Sequence, residues 1–98
     1  MSATIGVARV TLYFEETFSL KDKRSEVKSV CQRISNQFNA AIAEIEDLDD
    51  MRVATLAVSV VSTSGPHVNQ MLNTIISRIE QLLQTSTLGD TSTELIPI

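Results

Sequence analysis

The chain has 98 residues, of which 43% are apolar and 20% charged, a balance typical of a soluble globular domain. This length predicts a single domain spanning residues 1–98, with one modest hydrophobic core. No apolar run approaches the ~20 residues of a membrane-spanning helix. The first four residues lack the charged and apolar regions of a secretion signal, so we expect a cytoplasmic protein with no membrane partner. One cysteine and one histidine exclude an internal disulfide and a Cys/His zinc site.

The charges are distributed unevenly along the chain. Eight Lys and Arg oppose twelve Asp and Glu, which gives a net charge of −4. Five of the basic residues fall between positions 21 and 33 with only two acids, so this segment carries a local charge of +3. A chain that is acidic overall is a poor general binder of nucleic acid, and we expect no DNA partner. A local basic patch can still make a short, oriented contact.

The first half of the chain predicts a strand followed by a helix. Alternating apolar residues predict a strand over Thr4–Phe14, and residues 15–17 suit a loop. Ser19 is a suitable N-cap, with Asp22 three residues later forming a loose capping box. The helix is expected to end between positions 36 and 38. Its apolar stripe consists of Leu20, Val27, Val30, Cys31, Ile34 and Phe38.

The second half predicts two strands, a helix and a last strand. Residues 39–46 and 52–62 suit an antiparallel hairpin, because the connection at 47–51 is rich in turn-forming Asp. Ser64-Gly65-Pro66 is typical of a helix start, and apolar residues recur at helical spacing as far as Leu83. Gly89-Asp90 predicts a turn. A weak strand over 91–96 follows, with Pro97 at its end.

This order of elements predicts an α+β, ferredoxin-like βαββαβ fold, with an antiparallel four-stranded sheet and both helices on one face. The other face is too apolar for plain surface and too polar for a core. We expect a second subunit, making a homodimer, or another partner to cover it. Scattered exposed apolar residues are the alternative, since apolar atoms are common on all protein surfaces. The residues of this predicted interface are Ile5, Val7, Tyr13, Thr55, Ala57 and Val61.

The basic segment is the best candidate for a binding site. Three of its cations are spaced i, i+3, i+7 and share one helix face, next to the free N–H groups of the helix start. Such a cluster suits RNA phosphates or another anion. The alternative is a solvated face that Asp22 and Glu26 balance locally. The candidate residues are Lys21, Lys23, Arg24 and Lys28.

No other group of residues points to catalysis, so we expect a non-enzymatic protein. Neither a Gly-x-Gly-x-x-Gly motif nor a phosphate-binding loop is present, and no cofactor or metal is indicated. His67 has no nucleophile or second titrating group beside it in the sequence and is expected at the surface. Cys31 suits a core thiol. Glu44, at the start of an acidic segment that suits a soluble turn, is expected to pair with Arg9 or Arg52 across the sheet.

The segment Ser19-Leu20-Lys21-Asp22-Lys23-Arg24 resembles the Ser-Leu-Lys-x-Lys-Arg hallmark of the YlxP-like family of small uncharacterised bacterial proteins. The resemblance continues through Phe38-Asn39, Ala43-Glu44-Ile45 and residues 56–62, and covers positions 7 to about 83. It implies a ferredoxin-like fold and no established activity. Members often lie in gene clusters beside translation-initiation and ribosome-assembly factors, which implies a role near the ribosome or its RNA.

Two functional hypotheses follow. The first is a non-enzymatic domain that docks on RNA or the ribosome through the basic start of its first helix. The alternative is a homo-oligomeric protein-interaction module that uses its open sheet face.

Overall fold

The computed structural model describes residues 2–15 and 19–98. The predicted loop at 15–17 therefore lies largely outside the described residues. The elements, in chain order, are β1 (Thr4–Phe14), α1 (Leu20–Gln37), β2 (Ala41–Glu46), β3 (Val53–Ser62), α2 (Gly65–Leu82) and β4 (Ser86–Pro97). Within the described ranges, no helix is long and apolar enough to cross a membrane.

The strands form one sheet in the order β2-β3-β1-β4, and every neighbouring pair is antiparallel. β1 is central, with Val10 opposite Leu56 of β3 and opposite Thr91 of β4. Both helices cover one face of the sheet, which confirms the predicted ferredoxin-like βαββαβ architecture. The opposite face is the open sheet face.

The helix starts form as their sequences predict. The Ser19 side chain accepts a hydrogen bond from the Asp22 backbone N–H at 3.1 Å, and the Asp22 carboxylate accepts one from the Ser19 N–H at 3.2 Å. This reciprocal pair is a complete capping box. In α2, the Ser64 hydroxyl accepts from the His67 N–H at 3.3 Å, and Pro66 occupies the first turn, where its missing N–H costs nothing.

The core lies between the sheet and the two helical stripes. Alternate residues of β1 and β3 point into it, and both helices contribute side chains at spacings of three and four residues. Burial of this apolar surface is the main force that holds the helices on the sheet. Its fully buried members include Val10, Leu12, Ile34, Leu56, Val58, Val68, Leu72, Ile75 and Ile79.

Gly6 allows α2 to approach β1 closely. A Cβ at this position would lie 2.3 Å from Val68 Cγ1 and 2.9 Å from Leu72 Cδ1. No side chain fits there without a shift of the helix. The absence of a side chain at this position therefore sets how deeply α2 packs on the sheet.

The prediction of a turn at Gly89-Asp90 was wrong. β4 runs from Ser86 to Pro97 without interruption, and the register shifts where Leu12 pairs with Leu88 but Val10 pairs with Thr91. The extra residue in β4 forms a β-bulge instead of a turn. Gly89 lies directly against the Tyr13 ring. A Cβ on Gly89 would come within 2.1 Å of Tyr13 Cε2, so a larger residue would clash with the ring. The glycine thus permits a close contact between neighbouring strands.

Candidate functional site

Three of the four predicted cations form an exposed face at the start of α1. Lys21, Arg24 and Lys28 are all exposed, as their helical spacing predicts. Arg24 Nη2 lies 3.2 Å from Asp49 Oδ1, in a pair whose side chains are 58% and 94% exposed. An ion pair so exposed is weak, and the guanidinium stays accessible to another anion. Among residues 2–15 and 19–98, neither Lys21 nor Lys28 takes part in an ion pair. We call these three residues the cationic face.

The two acids of the same segment are engaged in other contacts. Asp22 caps the helix through the Ser19 N–H. The Glu26 carboxylate accepts hydrogen bonds from the Thr85 N–H at 3.0 Å, from the Thr85 hydroxyl at 2.6 Å, and from the Ser86 hydroxyl. Glu26 therefore joins α1 to the beginning of β4. Both carboxylates keep their charge, but the helical spacing puts them on other sides of α1 than Lys21, Arg24 and Lys28.

The contacts of Glu26 also change its acidity. Partial burial by itself raises the pKa of this carboxyl. Hydrogen bonds from Ser86, Thr85 and the backbone at Gln84 favour the ionised form and together outweigh burial. The pKa of Glu26 therefore lies below its ordinary value of 4.5.

Lys23, the fourth predicted cation, is fully buried and does not contribute to the cationic face. Its Nζ lies 2.8 Å from Glu44 Oε2 and donates a hydrogen bond to the Asp47 carbonyl at 2.6 Å. The contact with Glu44 is an ion pair, but Glu44 Oε2 accepts no hydrogen bond from Lys23. Lys23 lies two residues from Lys21, about 200° around the helix, and therefore faces the sheet.

A β-bulge in β2 separates the two glutamates of this strand. Glu44 is opposite Leu56 of β3. Glu46, two residues later in β2, is opposite Thr55, which is only one residue away from Leu56. Because side chains alternate between the faces of β3, Glu44 lies on the helix side of the sheet and Glu46 on the open side. The predicted pairing of Glu44 with Arg9 or Arg52 was wrong. Glu44 pairs with Lys23, and Arg9 Nη2 lies 2.7 Å from Glu46 Oε1.

The turn after β2 is held from both sides. Asp47 adopts a positive φ of 59°, which is uncommon for a residue other than glycine. Its carbonyl accepts from Lys23 on the helix side and from the Asp50 N–H at 3.0 Å. Its carboxylate accepts from the Thr55 hydroxyl at 3.4 Å. No sequence signal indicated this connection between α1 and the turn, because it depends on contacts distant in the chain.

The open sheet face is divided rather than continuously apolar. Thr55, predicted as an interface residue, is on this face but only 6% exposed, next to Asp47. The Arg9–Glu46 ion pair crosses the middle of the face. At one end, Ile5 is opposite Val61 of β3 and Ile96 of β4, which forms an apolar row across three strands. The remaining predicted residues, which are partly or well exposed, are Val7, Tyr13 and Ala57.

Cys31 and His67 are the other two residues considered for chemistry from the sequence. Cys31 is partly buried against the core, and burial, together with the nearby charge of Glu44, raises the pKa of its thiol. A thiol of raised pKa is a poorer nucleophile at neutral pH. His67 is exposed, as predicted. In the described part of the chain, no group of three or more His, Cys, Asp or Glu side chains could hold a metal ion.

The fold and its contacts define a small ferredoxin-like α+β domain with a cationic helix start and an uncovered sheet face. The family described as "Protein of unknown function (DUF503)" matches residues 5–89, and the chain belongs to this family. It is 29% identical over 76 residues to the "Uncharacterized protein YlxP" of Bacillus subtilis (strain 168), covering 78% of this chain and 83% of that protein. The predicted resemblance to the YlxP-like family is therefore confirmed.

Solved structures show likeness of fold alone. The de novo designed protein Foldit4 is 12% identical with a TM-score of 0.52, and the match covers 96% of both chains. A dimeric ferredoxin-like protein of unknown function from Thermobifida fusca YX is 12% identical with a TM-score of 0.46, covering 96% of this chain and 92% of that chain.

Proposed function

We propose that this protein is a non-catalytic cytoplasmic domain that docks on ribosomal RNA through the cationic face, Lys21, Arg24 and Lys28. The exposure of three cations on one side of α1, with the acids of the segment on other sides of the helix, is the observation that carries this proposal. Contacts from Lys and Arg to phosphate oxygens position a protein on a nucleic acid without reading its sequence. Lys23 has a structural role here, because its ammonium is buried against Glu44.

The location of the cationic face also supports docking on a large anion. The rest of the protein is acidic, so a polyanion is attracted at this face and repelled elsewhere. Contact is then confined to one orientation.

The test is co-sedimentation of the protein with ribosomal particles at low and raised salt. We expect the protein to travel with a ribosomal subunit at low salt and to be released as salt rises, because phosphate contacts release counterions. Lys21→Gln and Lys28→Gln should each weaken binding and reduce the salt dependence by about one charge. Arg33→Gln is the matched control, since it removes one exposed cation from another side of α1.

The proposal is contradicted if the folded wild-type protein sediments only as a free particle. It is also contradicted if Arg33→Gln weakens binding as much as Lys28→Gln, because the face would then have no special role. Circular dichroism of each variant establishes that the fold is intact.

A second candidate function is homo-oligomeric assembly through the open sheet face. The apolar row formed by Val61, Ile5 and Ile96 favours it, because Val61 is 57% and Ile96 38% exposed. Val61→Glu should then abolish self-association, whereas Thr63→Glu, at an exposed position just beyond β3, should not. A dimer that persists in Val61→Glu excludes this candidate.

A further inference from the structure

Among residues 2–15 and 19–98, no strand pairs with the outer side of β4, which is therefore a sheet edge. β4 is the last strand in the order β2-β3-β1-β4, and all residues at positions 90–98 are exposed. The helices therefore leave this half of the strand uncovered. Such an edge presents N–H and C=O groups that another strand can pair with.

The hydrogen bonds to β1 show which groups of β4 point outward. Ala3 and Ile98 exchange both backbone hydrogen bonds, at 3.1 and 2.8 Å, so the backbone groups of Ile98 point towards β1. Backbone groups alternate in direction along a strand. In β4, the N–H and C=O groups that point away from the sheet therefore belong to Thr91, Thr93 and Leu95.

Two features limit how another strand can pair with this edge. Pro97 is the next outward position, and it has no N–H to donate. On the other side, the bulge between Leu88 and Thr91 interrupts the regular edge. The usable segment thus consists of three outward residues, and Thr93 is its centre.

We propose that β4 pairs with β4 of a second copy of this chain, antiparallel about a two-fold axis at Thr93. In this register Thr93 is opposite its own counterpart and Thr91 is opposite Leu95, so each outward N–H and C=O finds a partner. Glu94 is opposite Ser92, so that no acid directly faces an acid. The two sheets become one continuous sheet of eight strands.

Neighbouring registers use the edge less well. A shift of the axis to Leu95 places Pro97 opposite Thr93 and removes a donor from each copy. A shift to Thr91 places Thr93 opposite Gly89, in the bulged part of the other strand, and Leu95 beyond the bulge. The Thr93 register is therefore the one that suits a second copy. Because pairing of one edge buries little surface, we expect a reversible dimer. It is an alternative to assembly through the open sheet face.

The experiment is sedimentation velocity of the purified full chain from micromolar to submillimolar concentration. We expect a reversible monomer–dimer equilibrium. Thr93→Pro removes the central outward N–H and should raise the dissociation constant roughly tenfold or more. Thr93→Val is the control, because it loses the hydroxyl but keeps the N–H and should dimerise like the wild type.

Several outcomes overturn the proposal. A wild-type chain that stays monomeric at every concentration contradicts it. Equal dissociation constants for Thr93→Pro and Thr93→Val also contradict it. A dimer lost in Val61→Glu but kept in Thr93→Pro assigns assembly to the open sheet face. If Thr93→Pro fails to fold, Thr93→Glu decides, because it places two carboxylates opposite each other at the axis. A folded Thr93→Glu that dimerises normally is then the contradicting result.

Discussion

Lys23 illustrates how the environment of a single residue decides its role. In the sequence it is one of four neighbouring cations, but its position on α1 turns it towards the sheet, where it is fully buried. A buried ammonium is tolerated only when other groups compensate its charge. Glu44 and the Asp47 carbonyl provide that compensation. Both Lys23 and Glu44 lie in segments that carry the resemblance to the YlxP-like family.

Removal of one partner of this ion pair should be strongly destabilising. Glu44→Leu leaves the Lys23 charge buried with only a carbonyl as partner, and we expect a loss of about 3 kcal/mol in the free energy of unfolding. The double variant Lys23→Met/Glu44→Leu should recover most of this loss, because it leaves no buried charge. Urea unfolding of the single and double variants measures both effects. A loss below ~1 kcal/mol in Glu44→Leu contradicts the structural role.

Glu26 should make the stability of the protein depend on pH. Because its folded pKa lies below 4.5, its contribution is present above pH 4.5 and is lost as pH falls through the lower folded value. Glu26→Gln should therefore destabilise the protein by roughly 1 kcal/mol or less near pH 7, allowing for solvent screening, and by less than that near pH 3. Urea unfolding at the two pH values checks this. Glu80→Gln, an exposed position of α2, is the control, and an equal loss for Glu26→Gln at both pH values contradicts the assignment.

At the scale of the elements, both edge strands carry a β-bulge. The bulge in β2 places Glu44 and Glu46 on opposite faces of the sheet, and the bulge in β4 ends the regular edge beyond Thr91. Bulges are frequent at sheet edges, where they redirect side chains and limit pairing. The bulge in β2 thus separates the glutamate that contacts Lys23 from the one that contacts Arg9. The bulge in β4 limits the length of the edge that another strand can pair with.

The packing of α2 on β1 gives a prediction about Gly6. Gly6→Ala places a methyl group 2.3 Å from Val68 Cγ1, so either α2 or the strand must move. We expect a loss of about 1–3 kcal/mol in the free energy of unfolding, typical of an overpacked core. Gly65→Ala is the matched control, because the nearest atom, Thr4 Oγ1, lies 3.8 Å away and alanine suits a helix. Equal urea midpoints for the two variants contradict the packing argument.

At the scale of the whole molecule, an acidic body carries a small cationic face. The net charge of −4 makes two copies repel each other, whereas the cationic face attracts a polyanion. The two proposed interactions therefore respond to salt in opposite directions.

Raised salt should weaken docking on RNA and strengthen pairing of β4 edges. Between about 0.05 and 0.5 M salt, counterion release lowers affinity for RNA, while screening reduces repulsion between copies. Sedimentation of the purified protein, alone and with ribosomal subunits, measures both equilibria. Self-association that weakens as salt rises contradicts the edge register, in which no opposite charges face each other.

The amino-acid sequence by itself determined the order of elements, the helix caps and the core. Local periodicity and capping residues carry this information, because they depend on neighbours within a few positions, as Ser19 and Asp22 show. The exposed cations Lys21, Arg24 and Lys28 could be predicted for the same reason.

Only the tertiary structure decided which charges meet. Lys23 and Glu44 are 21 positions apart in the sequence and meet because α1 packs against β2 and Glu44 lies on the helix side of that strand. The close contact of Gly89 with the Tyr13 ring likewise joins residues that are far apart in the sequence. Contacts between distant residues follow from packing and register, which local patterns do not specify. They therefore divide the predicted basic cluster into the exposed cationic face and a buried ion pair.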